Sequence, residues 1–449
     1  MSTPNVYVRA AAAVGAQLVA AAISHRGQCT WLTHDIDEDA DQPTVVETSC
    51  GPDLYQGTAG IGWALAHLAA VTGDADAADT AAGALRHAVA HAPDDVSLHG
   101  GRAGIAYAAI EGGGVLGDEP LTHSGYAVAR TLARRVCDRD GDADIAWDLM
   151  SGQAGVALSL VALSGNDGVL LEAAHTAAQR VVHRAEVDDT GWWWPSQGTV
   201  EPGLCGLGHG AVGAALALAA VAQQTGTNEF GTAIAGALRY ERAWLDPAVG
   251  WPDLRGLTRP SVHAGGHPTY PVHWCHGAAG AGIARARLAA SLAPGHDSRT
   301  LLLTEAGAAV DLATTEALRS LAPDPPARPW LANVSVCHGI GSIAELHLAA
   351  HDTTGDGEHL RHARQLILSA LAVRPEDLSR WQQGTVTDQE VRAALTDVSC
   401  GIPGAPVVPG LMVGTAGLLA LLLRLADCQH IGPIGLPQAR AEGKTAPSN

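Results

Sequence analysis

With 449 residues, the chain is long enough for two or three ordinary domains or for one large repetitive one. Acidic residues outnumber basic ones by 46 to 27, and the formal net charge of −19 argues against nucleic acid and anionic membrane surfaces as partners. Hydrophobic residues make up 47% with 53 glycines and one phenylalanine, so the core is built from Ala, Leu and Val, and no apolar run reaches the ~20 residues of a membrane span.

In chain order, "RAAAAVGAQLVAAAIS" comes first and reads as a helix rather than a cleaved signal, because it has one basic residue and no clear processing site follows. A glycine turn followed by an Ala/Leu-rich segment then recurs seven times, as "YQGTAGIGWALAHLAA", "HGGRAGIAYAAI", "MSGQAGVALSLVAL", "GHGAVGAALALAAV", "CHGAAGAGIARARLAA", "CHGIGSIAELHLAA" and "MVGTAGLLALLLRL". The first turn glycines are Gly57, Gly101, Gly152, Gly210, Gly277, Gly339 and Gly414. Their spacings of 44 to 75 residues each accommodate a pair of helices.

The segment after each turn is apolar nearly all round, whereas its partner is mixed, as in "DADAADTAAGALRHAVAHA". That contrast puts the first kind inside and the second outside. Seven such pairs close into a ring without exposed ends, which predicts an all-α fold, an α/α toroid of seven inner and seven outer helices. The whole chain, 1–449, reads as one such domain, with 1–50 a helical lead-in and 432–449 a flexible tail. Glycine at each turn is expected to permit unusual dihedrals, bring backbones close and leave helix N–H groups exposed as a partly positive rim.

Gly/Pro/Trp-rich stretches precede three turns, as "VDDTGWWWPSQGTVEPGL", "GWPDLRGLTRPSVHAGGHPTYPV" and "VSCGIPGAPVVPG", and read as loops over that rim. The tryptophans in "GWWWPSQG", with Trp251, Trp274, Trp330 and Trp381, are read as core caps ahead of a peptide groove.

Chemistry concentrates in the fifth and sixth turns, "PVHWCHGAAG" and "NVSVCHGIGS". Eight cysteines are too sparse for a disulfide scaffold and suit a reducing cytosol. Two cysteines and a histidine are donors that zinc prefers, and a catalytic zinc takes three protein ligands with a fourth position open. Cys275, Cys337 and His338 fit that count. An isolated Cys-His pair is more often a buried thiol; recurrence at one register of adjacent repeats favours the metal. His276 stays open, because ligation by both Cys-His pairs would overfill a catalytic site. In the third and fourth repeats, Asp148 and His209 stand at or just before their turns, as a helix cap and a turn residue or as an acid/base pair facing the metal repeats.

The ordered set "DLMSGQAG", "GLGHGAVG", "WCHGAAG" and "VCHGIGS" resembles the lanthionine synthetase C-like (LanC) cyclases, from about "GPDLYQGTAG" to "PGLMVGTAGLLALLLRL". The resemblance implies an α/α toroid, zinc held by Cys275, Cys337 and His338, His209 as acid/base, and Asp148 assisting it. It also implies the reaction: a peptide cysteine thiol adds to dehydroalanine or dehydrobutyrine of the same peptide, giving a lanthionine or methyllanthionine ring. Family members often carry a basic residue just before the first zinc cysteine. Here "GGHPTYPVHWC" offers His267 and His273 instead, with His273 the candidate substitute.

On this reading the partners are a dehydrated precursor peptide and a separate dehydratase, with no nucleic acid, and the setting is cytoplasmic. Two other readings keep the fold: zinc activating glutathione or another thiol toward dehydroamino acids, or a non-catalytic zinc-binding scaffold for a peptide or enzyme.

Overall fold

In each repeat the glycine turn folds back on the seven residues before it, and a helix starts there. The first helical N–H donates to the carbonyl seven residues earlier in all seven copies: Thr58 to Gly51, Arg102 to Asp95, Gln153 to Ala146, Ala211 to Leu204, Ala278 to Pro271, Ile340 to Asn333 and Thr415 to Val408, at 2.8 to 3.1 Å. Helix starts leave N–H groups without intrahelical partners, and here the backbone itself satisfies the first of them. The rim of exposed donors expected from the sequence is therefore largely spent inside the turns.

The computed structural model describes residues 5–37, 44–138, 145–195, 203–256, 267–322, 333–396, 398–401, 407–426 and 431–438. The inner helices are α2 (Thr58–Thr72), α4 (Arg102–Leu116), α6 (Gln153–Ser164), α8 (Ala211–Thr225), α10 (Ala278–Ala290), α12 (Ile340–Thr354) and α16 (Thr415–Leu425). The outer helices are α1 (Val6–Ala21), α3 (Ala75–Ala90), α5 (Glu119–Cys137), α7 (Gly168–His183), α9 (Gly231–Ala243), α11 (Asp297–Ser320) and α13 (Gly357–Ala370). Two short helices, α14 (Leu378–Gln382) and α15 (Asp388–Ala394), follow α13.

The inner helices touch in cyclic order, with α16 closing against α2, so the fold is the expected α/α toroid. Inner helices are buried almost all round, as Thr58 through Ala69 of α2 show. Outer ones bury a stripe, such as Ala77, Ala81, Ala84, Leu85 and Ala88 of α3. The outer helices α3, α5, α7 and α13 begin at aspartates that accept backbone N–H groups, namely Asp74, Asp118, Asp167 and Asp356.

Three features depart from the sequence reading. Within 1–50, expected as a helical lead-in, α1 is the seventh outer helix, packed on α16, and among the described residues two antiparallel strand pairs follow it, β1 (Ile23–His25) with β2 (Gln28–Thr30) and β3 (Leu32–Asp37) with β4 (Thr44–Ser49). The β-branched run "TVVETS" of β4 pairs in register from Leu32↔Ser49 to Asp37↔Thr44. A third pair joins β5 (Glu186–Asp188) and β6 (Gly191–Trp193).

Second, the turn glycines seldom need unusual dihedrals. Among the seven helix-starting glycines only Gly277 has a positive φ, +88°, and the rest are extended. Close approach is the common reason: a Cβ at Gly101 would sit 2.5 Å from the Asp95 carbonyl oxygen, and one at Gly277 1.8 Å from that of Pro271.

Third, a flexible tail does not begin at residue 432. Ile431, Ile434 and Leu436 are buried, the Ile434 N–H donates to Glu345 (3.1 Å), and Gly435 lies against Met412 and His99. These apolar side chains anchor the segment 431–438, and 439–449 lie outside the described residues.

Among the described residues no helix is long and apolar enough to cross a membrane. Trp193, Trp194, Trp251, Trp274 and Trp381 are buried core residues, and Trp330 lies outside the described residues. The rim stretches at 196–202, 257–266 and 402–406 also lie outside them.

Candidate metal centre

The residue two before each turn glycine stands at one register: Tyr55, His99, Met150, Gly208, Cys275, Cys337 and Met412. A belt of backbone hydrogen bonds links them head to tail. Tyr55 N–H donates to His99 C=O (3.0 Å), His99 to Met150 (3.1 Å), Met150 to Gly208 (3.1 Å) and Gly208 to Cys275 (2.9 Å). Trp274 then donates to Cys337 (2.9 Å), Cys337 to Met412 (2.8 Å), and Met412 back to Tyr55 (2.8 Å). The one-residue shift at Trp274 falls in the repeat whose turn glycine is left-handed, Gly277. The belt thus fixes the backbones of Cys275 and Cys337 as neighbours although 62 residues separate them.

The sulfurs of these two cysteines and a ring nitrogen of His338 all lie within 4.8 Å of one another, and Cys337 Sγ is 3.5 Å from His338 Nε2. Tetrahedral zinc bonds of ~2.3 Å to sulfur and ~2.0 Å to nitrogen place neighbouring donors roughly 3.5–3.8 Å apart. The donor set therefore fits zinc in type, with the Cys337–His338 pair at the expected spacing. Among the described residues it is the one Cys/His/carboxylate cluster of this kind.

The neighbouring Cys337 side chain, with His338 assisting, holds the Cys275 pKa well below the ordinary thiol value against the desolvation of burial. Burial and the adjacent Cys275 sulfur push Cys337 well up. A pair in which one sulfur is already favoured as thiolate is prepared for a cation.

Beside this cluster, His209 Nδ1 is 2.8 Å from Asp148 Oδ2, while Asp148 Oδ1 accepts the Ser151 N–H at 2.6 Å. Asp148 is thus both the turn cap and the partner of an imidazole. Burial pulls the His209 pKa down, but the Asp148 hydrogen bond and charge outweigh it and leave it raised. The turn carrying His209 is held from behind by Glu241, fully buried, which accepts the N–H groups of Gly206 (2.9 Å) and Val212 (3.1 Å). Arg285 lies behind Glu241 (3.8 Å), paired with Glu305 (2.9 Å) and stacked on Trp251 at 4.3 Å.

The structure brings together all five residues named from the sequence and separates the remaining histidines by role. His276 is buried and stacks on His209 (5.4 Å, 25°) outside the donor cluster. His267 is exposed. His273 meets His338 edge-on (5.5 Å, 88°), and burial lowers its pKa to about 4. His273 is therefore neutral near pH 7.

Arg255 is a cation whose charge reaches this centre. Its charge acts on Cys275 and Cys337, and on His209, His273 and His276, and a fork of hydrogen bonds to Asp253 (2.6 to 3.0 Å) holds it and raises its pKa. Standing 20 residues before Cys275, it gave no local signal. Arg255, Asp253 and His273 line one side of a groove of about 880 Å³ whose far wall is Asp311, Thr315 and Arg319 of α11. Tyr55, also missed, has its pKa raised by burial and by the neighbouring Cys337.

Residues 48–431 match the family model "Lanthionine synthetase C-like protein". The chain belongs to this family. Among solved structures it is similar to one described as nisin cyclase, with TM-score 0.58 and 14% identity over 84% of this chain and 90% of that one. At that identity the likeness is one of fold, and it agrees with the LanC-like toroid seen here. No curated protein sequence matches the chain.

Proposed function

We propose that this LanC-like chain is a zinc-dependent lanthipeptide cyclase, forming lanthionine or methyllanthionine rings by intramolecular Michael-type addition of peptide cysteine thiols to dehydroalanine or dehydrobutyrine. The observation that carries the reading is one mouth of the toroid holding both a soft Cys275/Cys337/His338 donor set and a carboxylate-oriented imidazole, His209 on Asp148. Family membership and the cyclase name of the structural relative support it.

Held by Cys275, Cys337 and His338, zinc would supply the Lewis acidity that keeps a substrate thiol as thiolate near neutral pH. As the sulfur bonds to the β-carbon, the C=C electron pair moves toward the carbonyl and an enolate forms. Arg255 is the side chain placed to offset that charge. His209 donates its proton from Nε2 to the α-carbon, because Nδ1–H is committed to the Asp148 carboxylate. The groove beside Arg255 and His273 is the cavity this reading assigns to the peptide.

The dehydrated residues have to be made first, so a separate dehydratase acting on the precursor peptide is the partner this reading requires, in the cytoplasm. The test is the zinc content of wild type beside Cys275→Ala and Cys337→Ala, with ring formation on a dehydrated peptide followed by thiol alkylation and mass spectrometry. About one zinc per chain, lost together with cyclisation in both variants, is expected. A zinc-free Cys337→Ala protein of full activity overturns the reading.

A further inference from the structure

Apart from the Cys/His centre, a group of imidazoles gathers where α12 gives way to α13. His347 of α12 is buried, and His359 and His362 of α13 stand half-buried beside it. The Nδ1 atoms of His347 and His359 face each other at 3.3 Å, and the His362 ring lies 5.4 Å from that of His347.

The hydrogen bonds around this pair fix its protons. The Thr314 hydroxyl of α11 donates to the Val310 carbonyl (2.7 Å), so its oxygen accepts from His347, whose Nε2 is 2.9 Å away. His347 therefore carries its proton on Nε2 and turns the Nδ1 lone pair toward His359. Burial, helped by His359 and His362, lowers the His347 pKa to about 3, so the ring is neutral near pH 7. Burial lowers the His359 pKa too, against the negative charge of Asp356, the N-cap of α13, and of Asp311 on α11. The cation beside His362, Arg361 at 3.1 Å, is paired with Glu358.

With both rings neutral, His359 donates Nδ1–H to His347 Nδ1. Moving that proton to the Nε2 of His359 leaves two lone pairs converging on one point, with no proton gained or lost overall. Two imidazole nitrogens bound to one tetrahedral ion at ~2.0–2.1 Å stand roughly 3.3–3.4 Å apart, which is the spacing already present. The bond from His347 Nε2–H to Thr314 is the kind of outer hydrogen bond that fixes ring and tautomer in histidine–metal sites.

We propose that His347 and His359 form a second metal site, for a divalent ion such as Ni²⁺ or Zn²⁺, which joins α12 to α13 with Thr314 of α11 as its outer support. Imidazole donors suit these ions, and the half-buried His359 side leaves the remaining coordination positions to water. Lacking a thiolate, the site binds more weakly than Cys275, Cys337 and His338 and fills when metal is added. It does not depend on the zinc reading of that centre.

The experiment is nickel(II) titration of the full-length protein as purified, followed by calorimetry and by native mass spectrometry, which counts the ions bound. His359→Gln should lose a nickel-binding event that Cys275→Ala retains. Thr314→Val keeps both ligands and the shape of the side chain but removes the acceptor for His347 Nε2–H, and should weaken that event ~10-fold. Nickel should also raise the unfolding temperature of wild type with rising concentration, and leave that of His359→Gln unchanged. A wild-type chain that binds no nickel, or nickel binding undiminished in His359→Gln, overturns the proposal, as does a Thr314→Val affinity within about twofold of wild type. Nickel uptake lost only in Cys275→Ala places the ion at the other centre and overturns it as well.

Discussion

His209 and Asp148 are joined by a 2.8 Å contact between Nδ1 and Oδ2 across 61 residues of sequence. Each comes from the turn of a different repeat, and the belt bond from the Met150 N–H to the Gly208 carbonyl, 3.1 Å, ties those turns together two residues after Asp148 and one before His209. The pair is thus fixed by the same backbone register that joins the metal donors.

Asp148→Asn removes the charge that holds the His209 pKa above its ordinary value against burial. The acid form of His209 exists below that raised pKa, so the variant should lose cyclisation at lower pH than wild type. The alkaline limb of kcat against pH is the measurement, and a limb that stays in place overturns the assignment. Stability follows the same sign: a raised histidine pKa stabilises the fold at low pH, and that contribution is lost as pH rises through the folded value. Asp148→Asn should therefore cost more stability at pH 5.5 than at pH 9, read by urea unfolding.

Arg255→Ala should leave zinc content unchanged and lower kcat about 100- to 1000-fold, the scale expected when one group stabilising a developing charge is lost. Arg255→Lys should recover part of it, because the charge returns but the two-pronged fit to Asp253 does not. Steady-state kinetics beside elemental analysis separates this from loss of metal.

Arg285→Met leaves Glu241 buried without its cation and should cost ~3–5 kcal/mol of stability. Burial already raises the Glu241 pKa, with Arg285 opposing it. Without Arg285 the carboxylate is harder still to ionise, so the loss should grow with rising pH. Denaturant unfolding at two pH values tests both magnitude and sign.

Leu436→Ala empties a fully buried position in the tail and should cost ~2–4 kcal/mol. Deleting 431–449 should cost more, since it also removes the Ile434 N–H from Glu345. Equal stability of the truncated and full chains, by thermal unfolding, would show the tail to be dispensable.

By itself the sequence determined the repeat. Turn glycines, apolar inner segments and mixed outer ones are local signals, written within a dozen residues because the backbone of each turn contacts its own preceding residues, as at Gly101 and Asp95. The donor types at Cys275, Cys337 and His338, and the candidates Asp148 and His209, were legible for the same reason: each sits at a fixed offset from a turn glycine. What lies outside that register was not legible. Arg255 reaches the centre from a loop, α1 completes the outer ring beside the last inner helix, and Ile434 and Leu436 enter the ring from the far end of the chain. Tyr55 sits in the register, yet nothing in "DLYQGTAG" says that its carbonyl accepts the N–H of Met412 from the other end of the chain. Only the tertiary structure decides such contacts, because ring closure brings the two ends of the chain together through packing, and packing between distant segments leaves no periodic mark in either one.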